Sequence, residues 1–187
     1  GMVAMNGSSH GKSLGALSIT FHPKYRTSFM PLVEKVAFSP FGDIETLRTK
    51  IDNDTAFVIM EPIQGESGIN VVPPGFLQDV RKLCDERGIL LIFDEIQAGL
   101  GRTGKMWACD HWNTTPDIIC LAKGIAGGVP MSATLTRPDI LAAMSKGEHS
   151  STFGGNPLSC AAGIATIQAL TQDGLIENAA RVGKFFM

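Results

Sequence analysis

No run of apolar residues in this chain approaches the roughly 18 needed to cross a bilayer. The opening Gly1-Met2-Val3-Ala4-Met5-Asn6-Gly7 has neither the charged region nor the long apolar region of a signal peptide. The expectation is therefore a soluble, cytoplasmic protein with no membrane partner. A basic surplus is also missing. Lys and Arg total 16 against 18 for Asp and Glu, a formal net charge of -2, and no Lys/Arg cluster interrupts the chain, so there is no field to neutralise a phosphate backbone and nucleic acid is not an expected partner. The four cysteines (Cys84, Cys109, Cys120, Cys160) form no C-x-x-C pair and have no histidine at ligand spacing. They read as reduced core thiols. No two histidines stand at helical ligand spacing, so a metal hydrolase built on His10 and His111 finds no support and no metal is expected. Repeats, low-complexity segments and linker-like stretches are absent too, and at 187 residues the default is one domain.

What is present is a globular composition, with 44% hydrophobic and 18% charged residues. Short apolar runs recur: Val33 to Phe38, Ala56 to Met60, Ile89 to Phe93 and Ile118 to Leu121 have the length and make-up of buried strands. Helical patterns lie between and after them. Pro74 to Arg87 places Phe76, Leu77, Val80, Leu83 and Cys84 at spacings of three and four, with a proline near its start and Gly88 just past its end. Asp43 to Ile51 is a shorter helix with Asp43 as N-cap, and Pro157 to Leu170 is a long apolar one after a Gly-rich turn. Strands alternating with helices imply an α/β fold, a mainly parallel sheet with helices on both faces and ligands at the carboxyl ends of the strands. Val3-Ala4-Met5 has the make-up of the last half of a strand, and Phe185-Phe186-Met187 falls inside a helical pattern with no stop signal. The expectation is a chain truncated at both ends.

Polar and glycine residues collect just after the strands, where chemistry is expected. Lys123 follows the run Ile118 to Leu121 by two residues and precedes Gly124, Gly127 and Gly128. A lysine partly desolvated at a strand end loses its proton more readily and can attack a carbonyl, although a solvated lysine in a turn fits the same spacing. Asp94 directly follows an apolar run, where an unpaired carboxylate would cost several kcal/mol, so it needs a cationic partner; a helix N-cap or a salt bridge to Arg102 would serve equally. In Ser150 to Pro157 a hydroxyl- and glycine-rich loop opens onto a helix, a place where backbone N–H groups and the Thr152 hydroxyl suit an anion, and where simple capping is the alternative.

Five segments in this order resemble the class III, or omega, aminotransferases over most of the chain: Ser9-His10-Gly11-Lys12-Ser13-Leu14-Gly15-Ala16-Leu17-Ser18; Glu61-Pro62-Ile63-Gln64-Gly65-Glu66; Phe93-Asp94-Glu95-Ile96-Gln97-Ala98-Gly99-Leu100-Gly101-Arg102-Thr103-Gly104; Leu121-Ala122-Lys123-Gly124; and Ser151-Thr152-Phe153-Gly154-Gly155-Asn156-Pro157-Leu158. The wording is most similar to ornithine, acetylornithine and putrescine aminotransferases. The resemblance implies the large domain of a fold type I enzyme that uses pyridoxal 5'-phosphate and passes an amino group from a terminal amine to a 2-oxo acid. It implies that Lys123 carries the cofactor as a Schiff base and shuttles the proton, that Asp94 pairs with the pyridine nitrogen, and that Gln97 approaches the phenolic oxygen. Thr152 would reach the phosphate of a neighbouring subunit in a homodimer or higher homo-oligomer, with His10 and Gly11 beside the cofactor. Glu66 would face the substrate, and Glu61 would stand nearby or serve structure.

The chain also departs from the family pattern. Ser9 stands where the family usually has an aromatic residue stacked on the ring, and offers no stacking face. Ala98 replaces a frequent threonine or cysteine. The glycine-rich phosphate segment expected before the matched region and the small C-terminal domain expected after it are not in the sequence, so this polypeptide alone is expected to be inactive. An aminomutase of the same family, or a non-catalytic remnant acting as an interaction module, remain as alternatives.

Overall fold

The computed structural model describes Gly1–Met187. The chain divides into two compact units, Gly1–Asp94 with Cys109–Pro116, and Glu95–Ala108 with Asp117–Met187. A single domain was the expectation from length. The division passes between consecutive residues, Asp94 and Glu95, with no linker composition to announce it.

The first unit contains β1 (Met2–Met5), α1 (Leu14–Ser18), α2 (Pro23–Arg26), β2 (Val36–Ser39), α3 (Ile44–Lys50), β3 (Phe57–Met60), β4 (Ile63–Gln64), β5 (Asn70–Val71), α4 (Phe76–Arg87) and β6 (Leu90–Asp94). Its main sheet is parallel in the order β2-β1-β3-β6, with Val3 opposite Ala37 and Val58, and Val58 opposite Leu91. Strands covered on both faces need apolar residues at every position, and Val3, Ala4, Met5, Val58, Ile59, Met60, Leu91 and Phe93 are all buried. The expected first full strand begins three residues late. Lys35 takes a left-handed φ of 57°, which breaks the extended backbone ahead of Val36.

Helix α4 forms as its stripe predicts. Phe76, Leu77, Val80, Leu83 and Cys84 are its buried residues, each large apolar side chain contributing about 1.5–3 kcal/mol by leaving water. Gly88 ends the helix at φ 65°, which brings Ile89 N to Cys84 O at 3.0 Å and turns the chain into β6. Asp43 caps α3 by accepting from Thr46 N at 2.9 Å. A short antiparallel pair, β4 with β5, holds Gln64 opposite Asn70.

The second unit contains β7 (Ile118–Leu121), antiparallel to β8 (Ala133–Thr136), followed by α5 (Pro138–Leu141), α6 (Pro157–Gln172) and α7 (Leu175–Phe186). Its core gathers Leu121, Ile125 and Ala126 with Leu100, Trp107, Met131 and Ala162. Asn156 caps α6 by accepting from Ser159 N at 2.9 Å. Strand β8, with the weakly apolar sequence Ala-Thr-Leu-Thr, was not anticipated. No helix is long and apolar enough to cross a membrane.

Candidate functional site

Because β1, β3 and β6 run parallel, their carboxyl ends lie at one edge of the first unit, and the residues that follow or close them are polar: Asn6 to His10, Glu61 and Asp94. Asp94 is 5% exposed and His10 9% exposed, and His10 Nδ1 lies 2.8 Å from Asp94 Oδ2. A carboxylate at a buried strand end finds the hydrogen-bonding partner its burial demands. The His10 backbone is held as well, since its N–H donates to Thr20 Oγ1 at 2.9 Å and that hydroxyl reaches Gly11 O and Ala16 O at 3.2 and 3.0 Å. Its other ring nitrogen, Nε2, is buried with no partner. Gly11 follows at φ 123°, where a Cβ would crowd Ala16 Cβ at 3.2 Å.

Glu61 occupies the end of β3. Its two oxygens accept from Ser9 N and Gly65 N, each at 3.0 Å. Burial pushes its carboxyl above the ordinary glutamate range; the two N–H donors and His10 oppose that shift, and the nearby Asp94 charge adds to it. Glu66, on the turn that follows β4, lines an open cleft of about 720 Å³ whose walls include Asn6, Tyr25, Lys24, Gln64 and Asn70.

In the second unit the lysine sits on a tight turn. Lys123–Ala126 forms one 3-10 turn directly after β7, and Lys123 itself is left-handed at φ 48°. The turn is anchored through Ile125 and Ala126, which are buried, and α6 lies against it. Gly163 of α6 permits the approach, because a Cβ there would meet Met131 Sδ at 2.9 Å and Ile125 O at 3.6 Å. Lys123 Nζ donates to Gln97 Oε1 at 2.9 Å. Gln97 belongs to a segment fixed at its base by Glu95, which is fully buried, accepts from Ala108 N at 2.6 Å through Oε2, and donates its own N–H to Cys120 O at 3.0 Å. Thr152 is exposed on the turn before α6 and takes no part in capping that helix, a role Asn156 fills.

The residues expected to act thus fall into two groups, His10, Asp94 and Glu61 in one unit and Lys123 and Gln97 in the other, with Glu66, Gly11 and Thr152 outside these direct contacts. Sequence reasoning missed the partner of Asp94. Arg102 is the cation the sequence offers, and the resemblance alone puts His10 beside the cofactor; the signal for the contact of His10 with Asp94 is that His10 follows, and Asp94 closes, strands expected to run parallel. Thr20 and Glu95 were also missed, since a buried hydroxyl and a second acidic residue in a row carry no mark in one dimension. No group of three or more His, Cys, Asp or Glu side chains is placed to hold a metal ion.

Solved structures of two other proteins superpose closely on this one. The ornithine aminotransferase of Toxoplasma gondii ME49 matches with a TM-score of 0.95 and 37% identity, covering 99% of this chain and 44% of that one. An amine transaminase from an uncultivated Pseudomonas species, solved in its pyridoxal-phosphate-bound form, matches with a TM-score of 0.92 and 30% identity, covering 98% and 48%. The fold is that of the type I pyridoxal-phosphate enzymes. The family model for class III aminotransferases matches residues 1–187, and the chain belongs to that family. Acetylornithine aminotransferase of Methanopyrus kandleri is 49% identical over 185 residues, 99% of this chain and 48% of that protein. Ornithine aminotransferase 1 of Staphylococcus saprophyticus is 48% identical over 183 residues, 97% of this chain and 46% of that protein. The chain spans about half the length of the curated relatives it matches.

Proposed function

We propose that this chain carries the cofactor-bearing part of an aminotransferase that uses pyridoxal 5'-phosphate and moves the terminal amino group of ornithine, acetylornithine, putrescine or a similar omega-amine to a 2-oxo acid. The observation that carries this reading is the seat of Lys123, an amine displayed on a left-handed turn at a strand end with Nζ 2.9 Å from Gln97 Oε1. Left-handed backbone at a residue other than glycine costs roughly 1–2 kcal/mol and is kept where surrounding packing imposes it, most often at functional sites. The donor set also suits the cofactor. Asp94 is a buried acceptor for a protonated ring nitrogen, and the unpartnered His10 Nε2 leaves hydrogen-bonding capacity beside it.

When bound, the cofactor supplies a ring that accepts the electron pair of the substrate C–H bond as that bond breaks. The protein's part is positioning and charge. Lys123 Nζ would hold the cofactor covalently and, as a free amine, would move the proton. Asp94 would keep a proton on the ring nitrogen, with His10 orienting its carboxylate. Gln97, whose Oε1 accepts from the lysine, keeps Nε2 as a donor for the phenolic oxygen. Thr152 offers its hydroxyl to a phosphate held by a second copy, which makes a homodimer or higher homo-oligomer the working assembly, and Glu66 faces the substrate in its cleft. The setting is cytoplasmic.

The test is the visible spectrum after adding pyridoxal 5'-phosphate, then borohydride reduction and peptide mapping. The expected result is a bound-cofactor band with the label on Lys123, both lost in Lys123→Ala. A label scattered over surface lysines with no band counts against the assignment. Product formation that requires a 2-oxo acid distinguishes the transaminase from an aminomutase.

A further inference from the structure

Around the strand ends of the first unit, the amide of Asn6 donates to Ser39 O at 2.7 Å and that of Ser8 to Met5 O at 3.0 Å, both backbone acceptors. The next two amides do not follow this pattern. Ser9 N donates to Glu61 Oε1 and His10 N to Thr20 Oγ1, so the pair that delivers the imidazole to Asp94 is held by side chains from two directions. Of these two holders, Glu61 alone also fixes a second loop. Its other oxygen takes Gly65 N, closing the turn after β3, and that turn is tied again to the segment after β1 by Gln64 Nε2 donating to Asn6 O at 2.7 Å and by the Ser67 hydroxyl donating to Gly7 O.

Glu61 is 5% exposed, and each of its oxygens already accepts from a backbone N–H, so burial leaves little room for a further donor to reach its remaining lone pairs. Glu61 is therefore poorly suited to receiving a substrate amine, which is the role its neighbour Glu66, lining the open cleft, is free to take. We propose that Glu61 is a positioning residue: by clamping Ser9 N–H and Gly65 N–H it sets the register of the segment after β1 and thereby the contact of His10 Nδ1 with Asp94. The consequence for catalysis, that Glu61 governs how Asp94 is presented to the cofactor nitrogen, rests on the proposed function. The positioning itself does not, and it can be read without cofactor.

The isosteric Glu61→Gln substitution keeps one acceptor but turns an N–H donor toward one of the two amides, replacing attraction with a clash of donors. Glu61→Asp keeps the charge and withdraws it by one methylene, too short to span both amides. The measurement is the long-range ¹H–¹⁵N spectrum of the imidazoles in the full, cofactor-free chain labelled at its four histidines, with His22, His111 and His149 as internal references. The wild type is expected to show His10 as a single tautomer with a slowly exchanging Nδ1–H. In both variants that proton is expected to exchange at least tenfold faster and the tautomers to average, while the three reference patterns stay fixed. An unchanged His10 pattern in both variants overturns the proposal. So does loss of all four patterns in both, which would make Glu61 a support of the fold of the whole chain and not of this contact. If the His10 result holds and the borohydride label fails to appear on Lys123, the clamp stands and the proposal that this chain holds the cofactor on Lys123 falls.

Discussion

His10 Nδ1 and Asp94 Oδ2 stand 2.8 Å apart, brought together from the ends of two strands with a third between them in sheet order. The imidazole proton on Nδ1 satisfies a carboxylate oxygen at a place where water is excluded, and an unsatisfied buried group there would cost about 1–3 kcal/mol. His10→Ala is therefore expected to lower stability by about that amount in urea unfolding. Asp94→Asn keeps an acceptor for Nδ1 and should leave stability within about 1 kcal/mol of the wild type while binding of pyridoxal 5'-phosphate weakens. An Asp94→Asn protein that binds the cofactor as tightly as the wild type would remove Asp94 from its assigned role.

At Lys123 two demands meet, a side chain with an amine and a backbone at φ 48°. Glycine meets the second without strain, and alanine meets neither. Lys123→Gly is expected to be more stable than Lys123→Ala by about 1 kcal/mol, against the usual order in which glycine is the less stable of the two. Urea midpoints of the two variants check this, and an alanine variant at least as stable as the glycine variant would mean that the turn relaxes when the lysine is absent.

The parallel strands and helix α4 were legible because their signals are local: an apolar run, a stripe at three-and-four spacing, Gly88 past the last turn. Lys123 and Asp94 were legible as positions for the same reason, each lying at the end of a run. Their partners were not. The partner of Asp94 is 84 residues away in sequence, and nothing short of the strand order β1-β3-β6 brings His10 near it. Strand β8 escaped because half of Ala133–Thr136 is threonine, whose pattern is as compatible with a loop, and it is its pairing with β7 that makes it a strand. The division into two units also left no trace, since the chain passes between them within a strand-end motif and not through a linker.

In the second unit Gly104 and Gly163 make contrasting predictions. Gly104 combines φ 83° with a packed neighbour: a Cβ would lie 2.7 Å from Ala180 Cβ and 2.9 Å from Ala180 Cα, so helix α7 would have to move. Overpacking of that kind costs roughly 1–3 kcal/mol, and the left-handed backbone adds about 1 kcal/mol. Gly163 lies within α6, and the nearest atom its Cβ would meet belongs to the flexible end of Met131. Alanine there regains up to about 1 kcal/mol of helix propensity against the cost of shifting that thioether. Gly104→Ala should be the more destabilising of the two by at least about 1 kcal/mol in urea unfolding; equal effects would place the α7 contact outside the folded unit's stability.

The pH dependence of stability follows from the direction of the Glu61 shift. Burial raises its folded carboxyl above the ordinary value of 4.5, so the folded chain holds this proton more tightly than the unfolded chain does. The stabilisation from that proton is fully present below the unfolded value and is lost as pH rises through the folded one, with a slope of at most about 1.4 kcal/mol per pH unit. Burial therefore opposes ionisation of the clamp, a cost to stability expected of a group retained for where it puts its neighbours. Glu61→Gln cannot ionise. The difference in urea-unfolding free energy between wild type and Glu61→Gln should shift against the wild type as pH rises from about 4.5, then level off once Glu61 is ionised in both states. A difference independent of pH over that window would mean that the carboxyl titrates alike in the folded and unfolded chains, and that its burial is offset by the two N–H donors.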